Sequence, residues 1–189
     1  IFEDISLMRT LPNMTVINPA DAKEAEAAVL AAIDYQGPVY IRLGRAETKD
    51  IHDDSYHFEW GKAEVLRQGS DVTIFATGIM TAKALDAAET LAKQGVQAEV
   101  INVHTIKPLD EETVIASAKK TGKVVTAEEH SIIGGLGSAV AEVLARQCPT
   151  KQAFVGVQDS FGESGSPNDL LEKYGLTTEA IVKAAVGLQ

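Results

Sequence analysis

The densest run of chemistry-bearing residues in this 189-residue chain lies at 128–138, where Glu128-Glu129-His130 closes an apolar stretch and Gly134, Gly135, Gly137 and Ser138 open the next pattern. Free N–H groups at a helix start attract anions, so a phosphate or carboxylate cradle with His130 as donor is one reading. The other is a tight turn and close helix–sheet packing. The second is favoured, because G-G-x-G is not the dinucleotide fingerprint and two acids just ahead would repel an anion. Arg45 stands just past VYIRL, after Gly44. Its planar fork suits a pair of phosphate oxygens, and on spacing alone a surface salt bridge explains it as well; Arg42, alternating with it, reads as a structural or interface charge. His104 follows the apolar VINV and is either an acid–base group or a residue that satisfies backbone at a strand end. His52 and His57 fall in a charged stretch and are expected to be solvated. None of the four histidines has a second ligand at metal spacing, so the sequence offers no metal site. Ser164 has no G-x-S-x-G elbow and reads as a turn residue. No catalytic base is assigned.

Positioning these groups requires regular elements. Asn18-Pro19-Ala20-Asp21 reads as a helix start with Asn18 as cap, and Ala22, Ala25, Val29, Ala32 and Ile33 then recur at helical spacing as a buried stripe. Strands are expected at 14–18 and 38–43, parallel to each other. Two parallel strands do not make a stable sheet, so residues 1–50 read as the tail of a truncated α/β domain. Residues 46–59 are charged and aperiodic, with 51–59 taken as the linker. From 60 to 189 the pattern is regular. A hairpin-like start is expected at 62–66 and 72–77, followed by alternating helices (80–94, 110–120, 136–147) and strands (98–104, 123–129, 153–158). Ser166 caps one last short helix, stopped by Gly175, and Thr177 caps another. Acids at 110–112 and bases at 119–120 match the helix dipole. The alternation predicts an α/β fold in three layers, α/β/α, around a mainly parallel five-stranded sheet carrying one antiparallel strand at or near its edge. In such a sheet every loop after a strand shares one rim, the usual ligand side.

Bulk properties narrow the partners. A net charge of −10 leaves no basic surplus for nucleic acid or anionic membrane. Cys148 is the only cysteine, so no internal disulfide forms. No apolar run approaches a membrane span and no signal peptide is evident. A cytoplasmic location is the expectation.

The segments LPNMTVINPAD and GPVYIRLGR, followed by EEHSIIGGLGSAVAEVLA and FGESGSP…YGLTTEAI, resemble the closing part of transketolases, spanning the chain in order. The resemblance is nearest to bacterial and archaeal enzymes split into two subunits. It implies the end of a pyrimidine-binding domain and a transketolase C-terminal domain. The implied activity moves a two-carbon ketol unit between phosphorylated sugars of the pentose phosphate pathway, using thiamine diphosphate and magnesium in the complete enzyme. It also implies that Arg45 binds the sugar phosphate. The cofactor-binding domain, its activating glutamate and the substrate histidine of the family's G-x-T-H-Q string are not in this chain. The expectation is therefore an inactive piece that binds no cofactor alone and works with a thiamine-binding N-terminal part or subunit, as a homodimer or hetero-oligomer. Other members of the architecture, 1-deoxy-xylulose 5-phosphate synthase or the beta subunit of a 2-oxo-acid dehydrogenase, remain alternatives, since VINVHTIKPLD is also reminiscent of the latter. An autonomous dimerisation or interaction module at 60–189 is the alternative of another class.

Overall fold

The computed structural model describes residues 1–44 and 47–189; Arg45 and Ala46 lie outside the described residues. The N-terminal unit comprises α1 (Asp4–Thr10), β1 (Thr15–Ile17), α2 (Ala22–Ile33) and β2 (Val39–Ile41), and β1 pairs with β2 in parallel as expected. Helix α1 falls where the sequence suggests no element; it is one short amphipathic piece whose Ile5 is buried.

Helix α2 differs from expectation in phase. Asp21, not Asn18, is its cap: the Asp21 carboxylate accepts the Glu24 N–H at 2.9 Å, and Glu24 reaches back to the Ala20 N–H at 2.7 Å. This is close to a reciprocal capping box. Glu24 is fully buried, held inward by the Asn102 amide and the Tyr56 hydroxyl, so the helix buries Glu24 and Ala28. The expected stripe is turned outward, leaving Val29 and Ile33 exposed. The period is legible in the sequence, but a buried polar anchor sets the rotation.

The larger unit contains β3 (Glu64–Arg67), β4 (Val72–Ala76), α3 (Met80–Lys93), β5 (Ala98–Asn102), β6 (Thr105–Lys107), α4 (Glu111–Thr121), β7 (Lys123–Ser131), α5 (Leu136–Gln147), β8 (Lys151–Val157), α6 (Pro167–Lys173) and α7 (Thr178–Val186). Its sheet runs β3-β5-β4-β7-β8, parallel except for β3, which lies antiparallel to β5 at the edge. The hairpin-like start is not formed, because β3 does not pair with β4. The turn after β3 docks on the beginning of β5, where the Ser70 and Asp71 N–H groups donate to the Gln97 carbonyl. A Cβ on Gly69 would lie 2.2 Å from the Ala98 carbonyl carbon, so only glycine permits this crossing. The chain thus passes over β5, and β4 forms on its far side.

Each sheet face carries its own core. Met80, Ala84 and Leu91 of α3, with Ile181 and Ala185 of α7, cover Ile74, Val100, Val125 and Val155. Val114 and Ala118 of α4, with Leu136, Val140 and Leu144 of α5, cover Phe75, Ile101 and Val124. These are the three expected layers. Strand β6 leaves this sheet and pairs antiparallel with β1, completing a second sheet, β2-β1-β6, across the two units. Ile5, Val16, Ile106 and Ala139 form a third small core at that junction.

Candidate functional site

The rim at the ends of the parallel strands is where an open α/β fold would place a ligand. In this chain the N-terminal unit lies on it. After β4, the Asn18 carbonyl accepts from the Gly78 N–H and the Thr77 hydroxyl. After β5, the Asn18 N–H donates to the His104 carbonyl at 2.8 Å. At the end of β7, the Ser131 N–H donates to the Phe2 carbonyl at 2.8 Å, the Ser6 N–H donates to His130 Nε2 at 3.3 Å, and Arg9 donates to the Gly134 carbonyl at 2.6 Å. After β8, a Cβ on Gly162 would meet the Phe2 ring at 3.3 Å. The first three loops are therefore engaged by the N-terminal unit, whereas the fourth only approaches Phe2 and stays exposed, with Phe161 91% exposed.

The glycine loop contains a carboxylate of the protein itself. Glu128 accepts the Leu136 N–H at 2.7 Å and the Gly137 N–H at 2.8 Å, filling the start of α5. Gly135 is required by close approach, since a Cβ there would lie 2.0 Å from the Glu128 Oε2. Gly137 is hemmed in by Phe154 and Thr126, and Gly134, at φ +81°, by Ser6. Burial pushes the Glu128 carboxyl up to about 7, against the two N–H groups that favour its charged form. His130 spends both ring nitrogens, Nδ1 donating to the Ser131 carbonyl at 2.7 Å and Nε2 accepting from Ser6. Burial lowers its pKa, which agrees with a neutral ring.

Arg42 is the electrostatic pin of the junction. Its guanidinium donates to Asp4 at 3.0 Å, to Glu129 at 3.1 Å and to the Ile1 carbonyl at 3.2 Å, and the Tyr40 hydroxyl donates to the same Asp4 oxygen at 2.7 Å. Arg42 is thus the structural charge that its alternation with Arg45 allows. Arg45 itself falls outside the described residues.

His52 overturns its expectation. It is not solvated: its side chain is 4% exposed, with Nδ1 2.9 Å from Asp21 and Nε2 2.8 Å from Glu64. Burial alone would depress its pKa, yet the hydrogen bonds of Glu64 and Asp21 carry it up to about 9. Sequence spacing could not reveal this, because Asp21, His52 and Glu64 come from three separate segments. His57 is exposed, as expected. His104 is buried against Phe58, with Nδ1 2.8 Å from the Thr105 hydroxyl, and burial lowers its pKa.

The arginines and helix N–H groups on this rim already have partners within the chain. Arg9 is engaged by Gly134 and Glu142, Arg42 by Asp4 and Glu129, and the N–H groups at the start of α5 by Glu128.

The family models for the transketolase C-terminal domain and the transketolase pyrimidine-binding domain match residues 61–181 and 2–50. The chain belongs to the transketolase family. It is 56% identical over 183 residues to a 6-deoxy-6-sulfo-D-fructose transketolase subunit of Clostridium sp. (strain MSTE9), covering 97% of this chain and 57% of that protein. It is 38% identical to an apulose-4-phosphate transketolase subunit of Phocaeicola vulgatus (strain ATCC 8482), covering 97% of this chain and 59% of that one. A solved split-gene transketolase, described as an inactive β4 tetramer, superposes with a TM-score of 0.96 at 53% identity, over 99% of this chain and 61% of that chain. The chain spans just over half the length of these relatives. Among the described residues no helix is long and apolar enough to cross a membrane.

Proposed function

We propose that this chain is the C-terminal portion of a transketolase that moves a two-carbon ketol unit between sugars ending in an anionic group. The observation that carries this reading is the 56% identity, over nearly the whole chain, to a transketolase subunit. Thiamine diphosphate, with magnesium, supplies carbanion stabilisation in such enzymes; a separate N-terminal part or subunit would hold both. Residues 1–50 then act as the end of the pyrimidine-binding domain, 51–59 as the connection and 60–189 as the C-terminal domain, in keeping with the matched segments. Arg45 contributes the contact to the substrate anion. The relatives' names bracket that group chemically, one carrying a sulfonate and the other a phosphate.

In this reading the loop with His130, Gly134, Gly135 and Gly137 serves as an interface rather than an anion cradle. Its N–H groups are already engaged by Glu128, and its outer face by Ser6 and Arg9. The chain alone would be inactive and would self-associate or pair with its partner in the cytoplasm; the inactive β4 tetramer of a relative supports both inactivity and self-association. Arg45→Ala in the complete enzyme tests the site. A charged hydrogen bond of about 1.5–3 kcal/mol predicts a roughly ten- to hundredfold loss in kcat/KM, carried mainly by KM for the anionic sugar. Unchanged kinetics would remove Arg45 from the site.

A further inference from the structure

Three carboxyl groups and one imidazole meet at the junction of the two units. Asp21, Glu24 and Glu64 converge there, and Asp21 and Glu24 are 3% and 0% exposed. Among the described residues His52 is the one basic side chain paired with them; it bridges Asp21 and Glu64, while Glu24 is bonded by the Tyr56 hydroxyl, the Asn102 amide and the Ala20 N–H. Ligand atoms of Glu24, His52 and Glu64 all lie within 4.8 Å of one another. The cluster adjoins a cavity of about 570 Å³ whose wall holds three of the chain's four histidines, His52, His57 and His104. His104 is 2% exposed, and its Nε2 has no hydrogen-bond partner among the described residues.

We propose that this junction is a binding site for a divalent transition-metal ion of the zinc class, ligated by His52 Nε2, Glu64 and Glu24. One imidazole and two carboxylates suit such an ion better than magnesium, which prefers oxygen donors and water. Asp21 on Nδ1 supplies the carboxylate that orients a metal-bound imidazole. On binding, the Nε2 proton leaves to solvent and the nitrogen lone pair passes to the ion. Tetrahedral bonds of about 2.0 Å put ligand atoms about 3.3 Å apart, so the 2.8 Å contact between His52 and Glu64 must open slightly. The Glu64 side chain is 40% exposed and is held by His52 alone among the described residues. The cavity leaves room for a metal-bound water beside His104. The ion would tie α2, the connecting segment and β3 together, a structural role that does not depend on the ketol-transfer reading.

Calorimetric titration of the metal-stripped protein with Zn²⁺ tests this. The expected result is one ion per chain with micromolar or tighter affinity, undisturbed by millimolar Mg²⁺. Glu64→Gln, at a half-exposed position that does not threaten folding, should weaken binding about tenfold or more, and His52→Ala should abolish it while circular dichroism shows a folded chain. His57→Ala should leave it intact. No binding, binding that survives both ligand substitutions, or binding that requires His57 would overturn the proposal.

Discussion

Replacing Gly135 by Ala adds one methyl group where the structure has no room for it. The ideal Cβ position is 2.0 Å from Glu128 Oε2, 2.9 Å from its Cδ and 2.7 Å from His130 Nδ1. Backbone strain is not the issue, since Gly135 has φ −84°. The carboxylate must retreat by more than an ångström, which sacrifices at least one of its contacts to Leu136 and Gly137 N–H in a site where Glu128 is 2% exposed. A hydrogen bond to a charged group contributes about 1.5–3 kcal/mol, and a buried donor left unpaired costs about 1–3 kcal/mol more. Against this, Ala gains about 0.4–1 kcal/mol from the stiffer unfolded chain. The net expectation is a loss of about 2–5 kcal/mol. At about 2–4 °C per kcal/mol for a chain of this size, thermal unfolding followed by circular dichroism should show Tm falling by roughly 4–20 °C. Gly122→Ala is the control: φ is +69° with open space around it, so it incurs only a left-handed penalty of about 1–2 kcal/mol. A Gly135→Ala protein within about 2 °C of the parent, or more stable than the control, would show that Glu128 does not occupy the start of α5.

Glu128 also sets a pH dependence. Its folded pKa of about 7 lies above the ordinary 4.5, so the native state binds the proton more tightly. The stabilising increment is complete below about pH 4.5 and is lost as pH rises to about 7, about 3 kcal/mol in all. Urea midpoints of the parent and Glu128→Gln should therefore diverge across pH 5–7 with the parent falling, and parallel curves would contradict the assignment. Arg42→Ala strands Asp4, whose side chain is 7% exposed, and should cost about 3–5 kcal/mol. The double substitution with Asp4→Asn should recover at least about 1 kcal/mol of that in a denaturation cycle; simple additivity would argue against the pairing.

The alternation of strands and helices from β4 onward is legible in the sequence because apolar period, caps and stops all agree there. Ser166 and Thr177 accept the N–H three residues ahead, and Gly122 and Gly175 take positive φ. What the sequence hides shares one cause: contacts between distant segments. β6 is three residues long, and its partner β1 lies far back in the chain. The phase of α2 depends on Asn102 and Tyr56 holding Glu24 inward. On sequence alone His52 looks solvated because its chain neighbours are charged, whereas its neighbours in space are Asp21 and Glu64. The two acids before the glycine loop look repulsive to an anion; the carboxyl of one of them fills that loop itself. No periodicity carries such information, and only the family resemblance singles out Arg45.

The most direct measurement joins this chain to the proposed thiamine-binding part and follows ketol transfer from xylulose 5-phosphate to ribose 5-phosphate. The predicted result is sedoheptulose phosphate only when both parts are present with thiamine diphosphate and magnesium. Turnover by this chain alone, or activity of the assembled protein on pyruvate with no sedoheptulose phosphate, would contradict it.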